Sequence, residues 1–437
     1  MRAWVSLSLV GCAFFVACGE STGSPGGSRG EGGSAGGVAE AGQNGGGKAP
    51  RAGTSGGGAL GLGGERGAIG EGQAGEAAGG SSSSAGETSE GGSAGNAGHE
   101  GGAAGAVGEP DPPNVVFVTS IAYSPQAWGG LEGADEACAS LAEAAELPGT
   151  FVAWLSTSGV DAKDRLGRAR GWRNTRQNPF ADEVSDLVAG RVYFPIAYDE
   201  NGDEVTGVVA TGTLPDGTAA AQTCSDWTSE AGVDALVTGE QTAGAGLWTA
   251  ESDGGTCADD YRLYCFQIDH QHELYPTPSQ GRTVFVSSEP FVLGAQGRAS
   301  ADALCAADAA AEQLDGTFVA LLPTSTQSAL ARLVNPSRPW VRPDGMVVAS
   351  STSWFELFPR LGVAITEQAD GTHVGGVRVF GAASIGDSAD LHCEDWTDPN
   401  ATVPAVIHGI TGHTDDRWYA GVTAACSESA HVLCVEQ

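Results

Sequence analysis

Residues 133–147, Gly133-Ala134-Asp135-Glu136-Ala137-Cys138-Ala139-Ser140-Leu141-Ala142-Glu143-Ala144-Ala145-Glu146-Leu147, place Ala134, Ala137, Cys138, Leu141, Ala142 and Ala145 at spacings of 3 and 4. That period predicts a helix with Cys138 on its buried face. Farther on, Ala301, Leu304, Cys305 and Ala309 repeat it. A short apolar strand precedes each helix, Val116-Phe117-Val118-Thr119-Ser120 and Val284-Phe285-Val286-Ser287-Ser288. A turn containing Gly149 or Gly316 follows each helix, and then a second strand, Thr150-Phe151-Val152-Ala153-Trp154-Leu155 or Thr317-Phe318-Val319-Ala320-Leu321-Leu322. Downstream, Cys224-Ser225-Asp226-Trp227-Thr228 returns as Cys393-Glu394-Asp395-Trp396-Thr397. Each copy closes on an alternating strand that holds its last cysteine, Leu263-Tyr264-Cys265-Phe266 and Val432-Leu433-Cys434-Val435.

The cysteines make the duplication explicit. Cys138, Cys224, Cys257 and Cys265 are separated by 86, 33 and 8 positions, and Cys305, Cys393, Cys426 and Cys434 by 88, 33 and 8. Four cysteines per repeat allow three pairings, and spacing alone does not choose among them. The expected plan is a signal peptide and lipidation site over 1–18, a disordered tether over 19–114, one domain over 115–267, a linker over 268–282 and a second domain over 283–437.

Composition supports this division. The segment 19–114 is almost entirely Gly, Ala, Ser and Glu and has no Phe, Trp or Tyr, so it lacks the apolar surface needed to offset its conformational entropy. As a Gly-rich coil its root-mean-square span is on the order of 55 Å. It carries eleven acidic and four basic residues, a small share of the chain's net charge of -33. The domains are therefore acidic too, which argues against a nucleic-acid partner, because phosphate binding needs the opposite field.

At the N-terminus, Met1 and Arg2 lead an apolar run to Ala17 and then a cysteine. The run is shorter than the ~20 residues of a membrane-spanning helix and reads as a lipoprotein signal. Leu9-Val10-Gly11-Cys12 has the better lipobox residues, but Phe15-Val16-Ala17-Cys18 gives the better length. Parity favours Cys18, since cleavage there leaves eight further cysteines to pair, with Cys12 as the alternative. The expected location is the cell envelope after Sec-dependent secretion, lipid-anchored at the outer membrane or cell surface.

The run Gly133-Ala134-Asp135, Cys138, Leu147-Pro148-Gly149-Thr150-Phe151 and Ala153-Trp154-Leu155, with Cys-x-Asp-Trp and a last cysteine in an apolar strand, resembles the endostatin module at the C-terminus of certain collagens. It is also similar to a family of bacterial surface lipoproteins of unknown function. The match covers nearly all of both repeats and is loose between Asp161 and Thr223. The resemblance implies an α+β fold of two tandem C-type-lectin-like domains. It also implies nested disulfides: Cys138 with Cys265 and Cys224 with Cys257, then Cys305 with Cys434 and Cys393 with Cys426. Bonds of this kind need an oxidising compartment.

Candidate chemistry is sparse. The calcium triplets of carbohydrate-binding C-type lectins, Glu-Pro-Asn and Trp-Asn-Asp, are missing from both repeats, and a lectin-like fold does not by itself imply lectin activity. Trp227 and Trp396 read as core aromatics. Asp199-Glu200-Asn201-Gly202-Asp203 alternates oxygen ligands but lacks the sixth-position glycine and twelfth-position acid of a calcium loop, and reads as a hairpin turn. The endostatin resemblance implies zinc held by a His-x-His pair, a further His and an Asp. Here His270, His272 and Asp344 match, and the third histidine is missing. His408, His413, Asp415 and Asp416 form a looser cluster. The densest basic segment, Lys163, Arg165, Arg168, Arg170, Arg173 and Arg176, reads as a solvated helix-like face paired with Asp161 and Asp164, with an anion site for a polysaccharide or lipid headgroup as the functional alternative. Arg332, Arg338 and Arg342 are its sparse counterpart in the second repeat. Neither repeat contains a Gly-x-Ser-x-Gly elbow, and the chain has no His-Glu-x-x-His or P-loop. The expectation is a non-catalytic binding protein for an extracellular polymer or surface ligand. A structural envelope protein and a hydrolase with dispersed carboxylates are the alternatives.

Overall fold

The computed structural model describes residues 112–333, 337–352, 360–382, 385–386, 392–401 and 406–437, with backbone only for 406–408. Cys12, Cys18 and almost all of the expected tether lie outside the described residues.

The architecture is α+β, and the two repeats are built in the same order. In the first, β1 (Asn114–Val118) lies between β8 (Tyr264–Gln267) and β3 (Trp172–Asn174), with β2 (Phe151–Ala153) and β4 (Pro179–Ala181) outermost, giving the order β2-β8-β1-β3-β4. In the second, β10 (Phe318–Ala320), β16 (Leu433–Glu436), β9 (Arg282–Val286), β11 (Trp340–Val341) and β12 (Val347–Ala349) follow the same order. A three-stranded antiparallel sheet accompanies each. These are β5 (Val208–Ala210), β6 (Ala235–Glu240) and β7 (Ser252–Thr256), and then β13 (Arg378–Gly381), β14 (Val406–Ile410) and β15 (Val422–Ala424).

The expected helices are α1 (Leu131–Ala144) and α2 (Arg298–Ala311), and they bury Ala134, Cys138 and Ala142, and Ala301, Cys305 and Ala309. The helix period thus delivers each first cysteine to the final strand. Four disulfides close: Cys138–Cys265, Cys224–Cys257, Cys305–Cys434 and Cys393–Cys426. The outer bonds span 127 and 129 residues, and cross-links around loops of that length stabilise by about 4–5 kcal/mol through the entropy of the unfolded chain.

A second tie is repeated beside the first. Asp135 on α1 accepts from the Ala153 N–H at 2.8 Å and from Arg165, which also donates to the Ala153 carbonyl. Asp302 on α2 accepts from the Ala320 N–H at 2.9 Å and from Arg332, which donates to the Ala320 carbonyl at 2.8 Å. One arginine per repeat is thus used to fasten helix to strand.

The Cys-x-Asp-Trp motif forms a single turn of left-handed helix. Cys224, Ser225, Asp226 and Trp227 have φ of 50°, 52°, 55° and 67°, and Cys393, Glu394, Asp395 and Trp396 have 49°, 55°, 54° and 70°. L-residues pay roughly 1–2 kcal/mol each for that conformation, so the surroundings must hold it. The tryptophans are fully buried and donate from Nε1 to the carbonyls of Ser156 and Pro323 at 2.8 and 2.7 Å. The aspartates accept from the backbone and hydroxyl of Ser158 and of Ser325, at 2.6–2.9 Å. Thr223 Oγ1 and His392 Nδ1 cap the two turns by accepting from Asp226 and Asp395 N–H.

Candidate functional site at the seam between the repeats

The structure uses most of the basic segment internally. Lys163 faces Asp161 at 3.6 Å, Arg165 is consumed by Asp135, and Arg170 reaches Asp182, Glu183 and Glu273. Arg173 donates to the Gln177 carbonyl. Arg176 donates to the Gly202 carbonyl and lies 4.8 Å over the Tyr198 ring. Arg168 is exposed. In the second repeat Arg332 is tied to Asp302, Arg338 donates to the Gly281 carbonyl, and Arg342 is buried.

The proposed metal ligands are not gathered. His270 is held through its backbone by Asn114, at 2.7 and 3.1 Å, and the His272 carbonyl packs against Gly171, leaving no room there for a Cβ. Asp344 instead pairs with Arg342. Among the described residues no three His, Cys, Asp or Glu are arranged to hold a metal ion. In the Asp199 loop, the Asp199 carboxylate accepts from the N–H groups of Asn201 and Asp203 and the Glu200 carboxylate accepts from Ser120, the hairpin expected from Asn-Gly. The side chain of His408 lies outside the described residues. Asp415 pairs with Arg417, and His413 is buried with Nδ1 unpartnered among the described residues.

His413 sits where the repeats meet. It faces Ala243 as an antiparallel bridge, with Gly244 N–H donating to the Gly412 carbonyl at 2.7 Å and Thr414 N–H to the Thr242 carbonyl at 3.1 Å. Gly239 and Gly409 fix the correspondence, because each lies against the carbonyl of a buried tryptophan, Trp248 or Trp418. Thr242 then matches Gly412, Ala243 matches His413 and Gly244 matches Thr414. Equivalent positions exchange bonds, as across a two-fold axis. Around this centre Tyr193 and Phe194 pack onto the second repeat's core, and Arg417 reaches Glu240 and Glu251 at 3.1 and 3.6 Å.

The two outer ends of this seam differ. The hairpins Tyr198–Glu204 and Glu367–His373 are equivalent, closed by the same bridge. Matching backbone bonds, Tyr193 N–H to Phe180 and Gly362 N–H to Val348, make Arg191 equivalent to Arg360. At one end Glu204 forms an ion pair with Arg360. At the other end His373 stands in place of the glutamate, Arg191 turns to Asp186 at 2.7 Å, and a cavity of about 140 Å³ remains. Its walls are Asp186, Arg191 and Tyr193 of the first repeat and Arg342, Asp344, Glu367 and His373 of the second. Where the first repeat has Asn174, Arg176 and Tyr198, the second has Arg342, Asp344 and Glu367, because the turns closed by Asn174 N–H to Asn178 and Arg342 N–H to Met346 coincide.

This cavity holds an acid and a base that are both strongly perturbed. Burial pushes the Glu367 carboxyl up to about 7; Arg342, 3.6 Å away, opposes this and the neighbouring Asp344 reinforces it. Glu367 and Asp344 share a side-chain hydrogen bond, and Glu367 also accepts from the Asp344 N–H at 3.1 Å. Burial outweighed by the Arg342 guanidinium leaves Asp344 below the usual carboxylate range. Burial, with Arg342 and Arg191 nearby, pushes His373 down to about 4, so its imidazole is neutral at pH 7. His373 bonds to the Gly190 carbonyl, while its Nε2 is buried without a partner among the described residues. A carboxyl that keeps its proton to near neutrality therefore lies beside a neutral imidazole with a free acceptor, the combination found at functional sites.

Arg191, Tyr193, Glu367 and His373 were not singled out by sequence reading. The signal for them was the register of the two hairpins, in which Tyr198 and Glu204 become Glu367 and His373. Compared with known protein families and curated proteins, the chain matches none.

Proposed function

We propose that this is a lipid-anchored cell-envelope protein that presents two endostatin-like, C-type-lectin-like domains as one rigid, non-catalytic body for capturing an extracellular polymer or surface ligand. The observation that carries the reading is the reciprocal seam at Thr242–Gly244 and Gly412–Thr414, which joins the repeats and forms a charged cavity from residues of both. Preformed clefts between packed units are the common setting of ligand sites. Four disulfides support an oxidising location. The test is an array of glycans and polymers probed with the purified full chain while salt is varied. Capture of a polymer class at low salt supports the reading, and an array without capture at any salt overturns it.

The Asp344–Glu367 pair favours a second reading, a hydrolase. Glycosidase carboxyls stand about 5–9.5 Å apart so that substrate or water fits between them, whereas these two hydrogen-bond each other. That spacing favours binding over hydrolysis.

A further inference from the structure

We propose that the seam cavity lined by Asp186, Arg191, Arg342, Glu367 and His373 receives a primary ammonium group, the amine-bearing end of a larger ligand; this rests on the binding reading above. Three observations converge on it. The first is room: a volume of about 140 Å³ corresponds to a few water molecules at about 30 Å³ each, enough for the end of a molecule and too little for a whole polymer unit with its neighbours.

The second is the kind of bonding left unused. Arg342 spends its donors on Asp344, on the Ala364 carbonyl at 3.2 Å and on Thr366 at 3.1 Å. Arg191 gives both Nε and Nη2 to Asp186. Beside the donors left on Arg191 Nη1 and the Tyr193 hydroxyl, the walls hold unused acceptor capacity on Glu367 and, buried just behind the wall, on the unpartnered Nε2 of His373. A ligand that completes these bonds must donate, and an ammonium group brings three N–H donors.

The third is charge. The chain carries a net -33, which draws cations toward it and repels anions. At the opposite end of the seam the glutamate in the histidine's place is neutralised by Arg360. Here no cation of the protein is left over, because both guanidiniums already have carboxylate partners.

The entry of the ligand conserves charge. Below neutrality Glu367 carries a proton. As R–NH3+ enters, the Glu367 O–H bond breaks and the proton leaves to solvent, so the carboxylate accepts from the ammonium and the cavity's net charge is unchanged. Affinity therefore rises as pH increases through about 7, where Glu367 titrates.

The experiment uses the full chain and n-butylammonium as probe, with n-butanol and butyrate as controls at matched ionic strength in amine-free buffers. Binding is read by the thermal midpoint, and proton release by calorimetry in two buffers of different ionisation enthalpy. The expected result is saturable binding of the ammonium alone, with proton release near pH 7. His373→Glu, which rebuilds the Glu204–Arg360 arrangement against Arg191, and the milder His373→Gln should each weaken it at least tenfold. Equal binding of butanol, no proton release, or binding unchanged in both variants overturns the proposal. Proton release by the wild-type chain needs no variant to fold. Polymer capture on the array that persists under saturating n-butylammonium overturns this inference and leaves the binding reading standing, whereas an empty array with no ammonium binding removes both.

Discussion

Ala243 and His413 hold equivalent places in the two repeats and face each other as an antiparallel pair, flanked by the Gly244–Gly412 and Thr414–Thr242 bonds. A duplicated unit has here become its own partner. The seam buries Ala243 completely, so the repeats should unfold as one. Wild-type chain is expected to give a single calorimetric transition. Ala243→Arg, which forces an unpaired charge into the seam, should split it into two. Two transitions in the wild type contradict the account.

The nested bonds make a separate prediction. Replacing Cys138 and Cys265 together by alanine removes a cross-link around 127 residues and should cost about 4 kcal/mol. Denaturant unfolding measures it, and a loss below 1 kcal/mol would mean that the Asp135–Arg165 tie already fixes helix to strand.

Asp226 is expected to matter for stability rather than for ligand contact. Asp226→Ala leaves the left-handed turn without its bonds to Ser158, and losing hydrogen bonds to a charged group costs about 2 kcal/mol. The Ser158 hydroxyl and backbone hold the Asp226 carboxyl below its ordinary value. Its contribution is therefore present above that ordinary value and is lost as pH falls through the lower, folded-state one. A flat acid limb in chemical denaturation of the wild type would refute it.

The seam's acid and base should give opposite pH dependences. His373 is pushed down to about 4, so the unfolded chain takes up its proton first, and stability declines as pH falls from about 6.5 toward 4. Glu367 is pushed up to about 7, so its contribution is complete below its ordinary value near 4.5 and declines as pH rises toward 7. His373→Gln should flatten the acid side and Glu367→Gln the neutral side. Unaltered profiles in both variants contradict these assignments.

Local signals announced the parts that depend on local chemistry. The helix period from Ala134 to Ala145 located α1 and turned Cys138 inward, and the alternating strands at Cys265 and Cys434 were equally plain. The Trp227 and Trp396 motif was visible, but its left-handed turn was not, since no glycine marks it and tertiary bonds from Ser158 and Ser325 hold it. The basic segment looked like a surface patch because two of its carboxylate partners, Asp135 and Glu273, are distant in sequence. The seam cavity was hidden for the same reason: Arg191 and His373 are brought together only by the packing of one repeat on the other.

Amide hydrogen exchange at Gly244 and Thr414 tests the central claim most directly, because these equivalent N–H groups donate across the seam and, among the described residues, to nothing else. Both are predicted to exchange only through global unfolding, at the rate of the β1 and β9 amides. Exchange of both as fast as exposed loop amides, while β1 and β9 stay protected, would contradict the account that the repeats form one body.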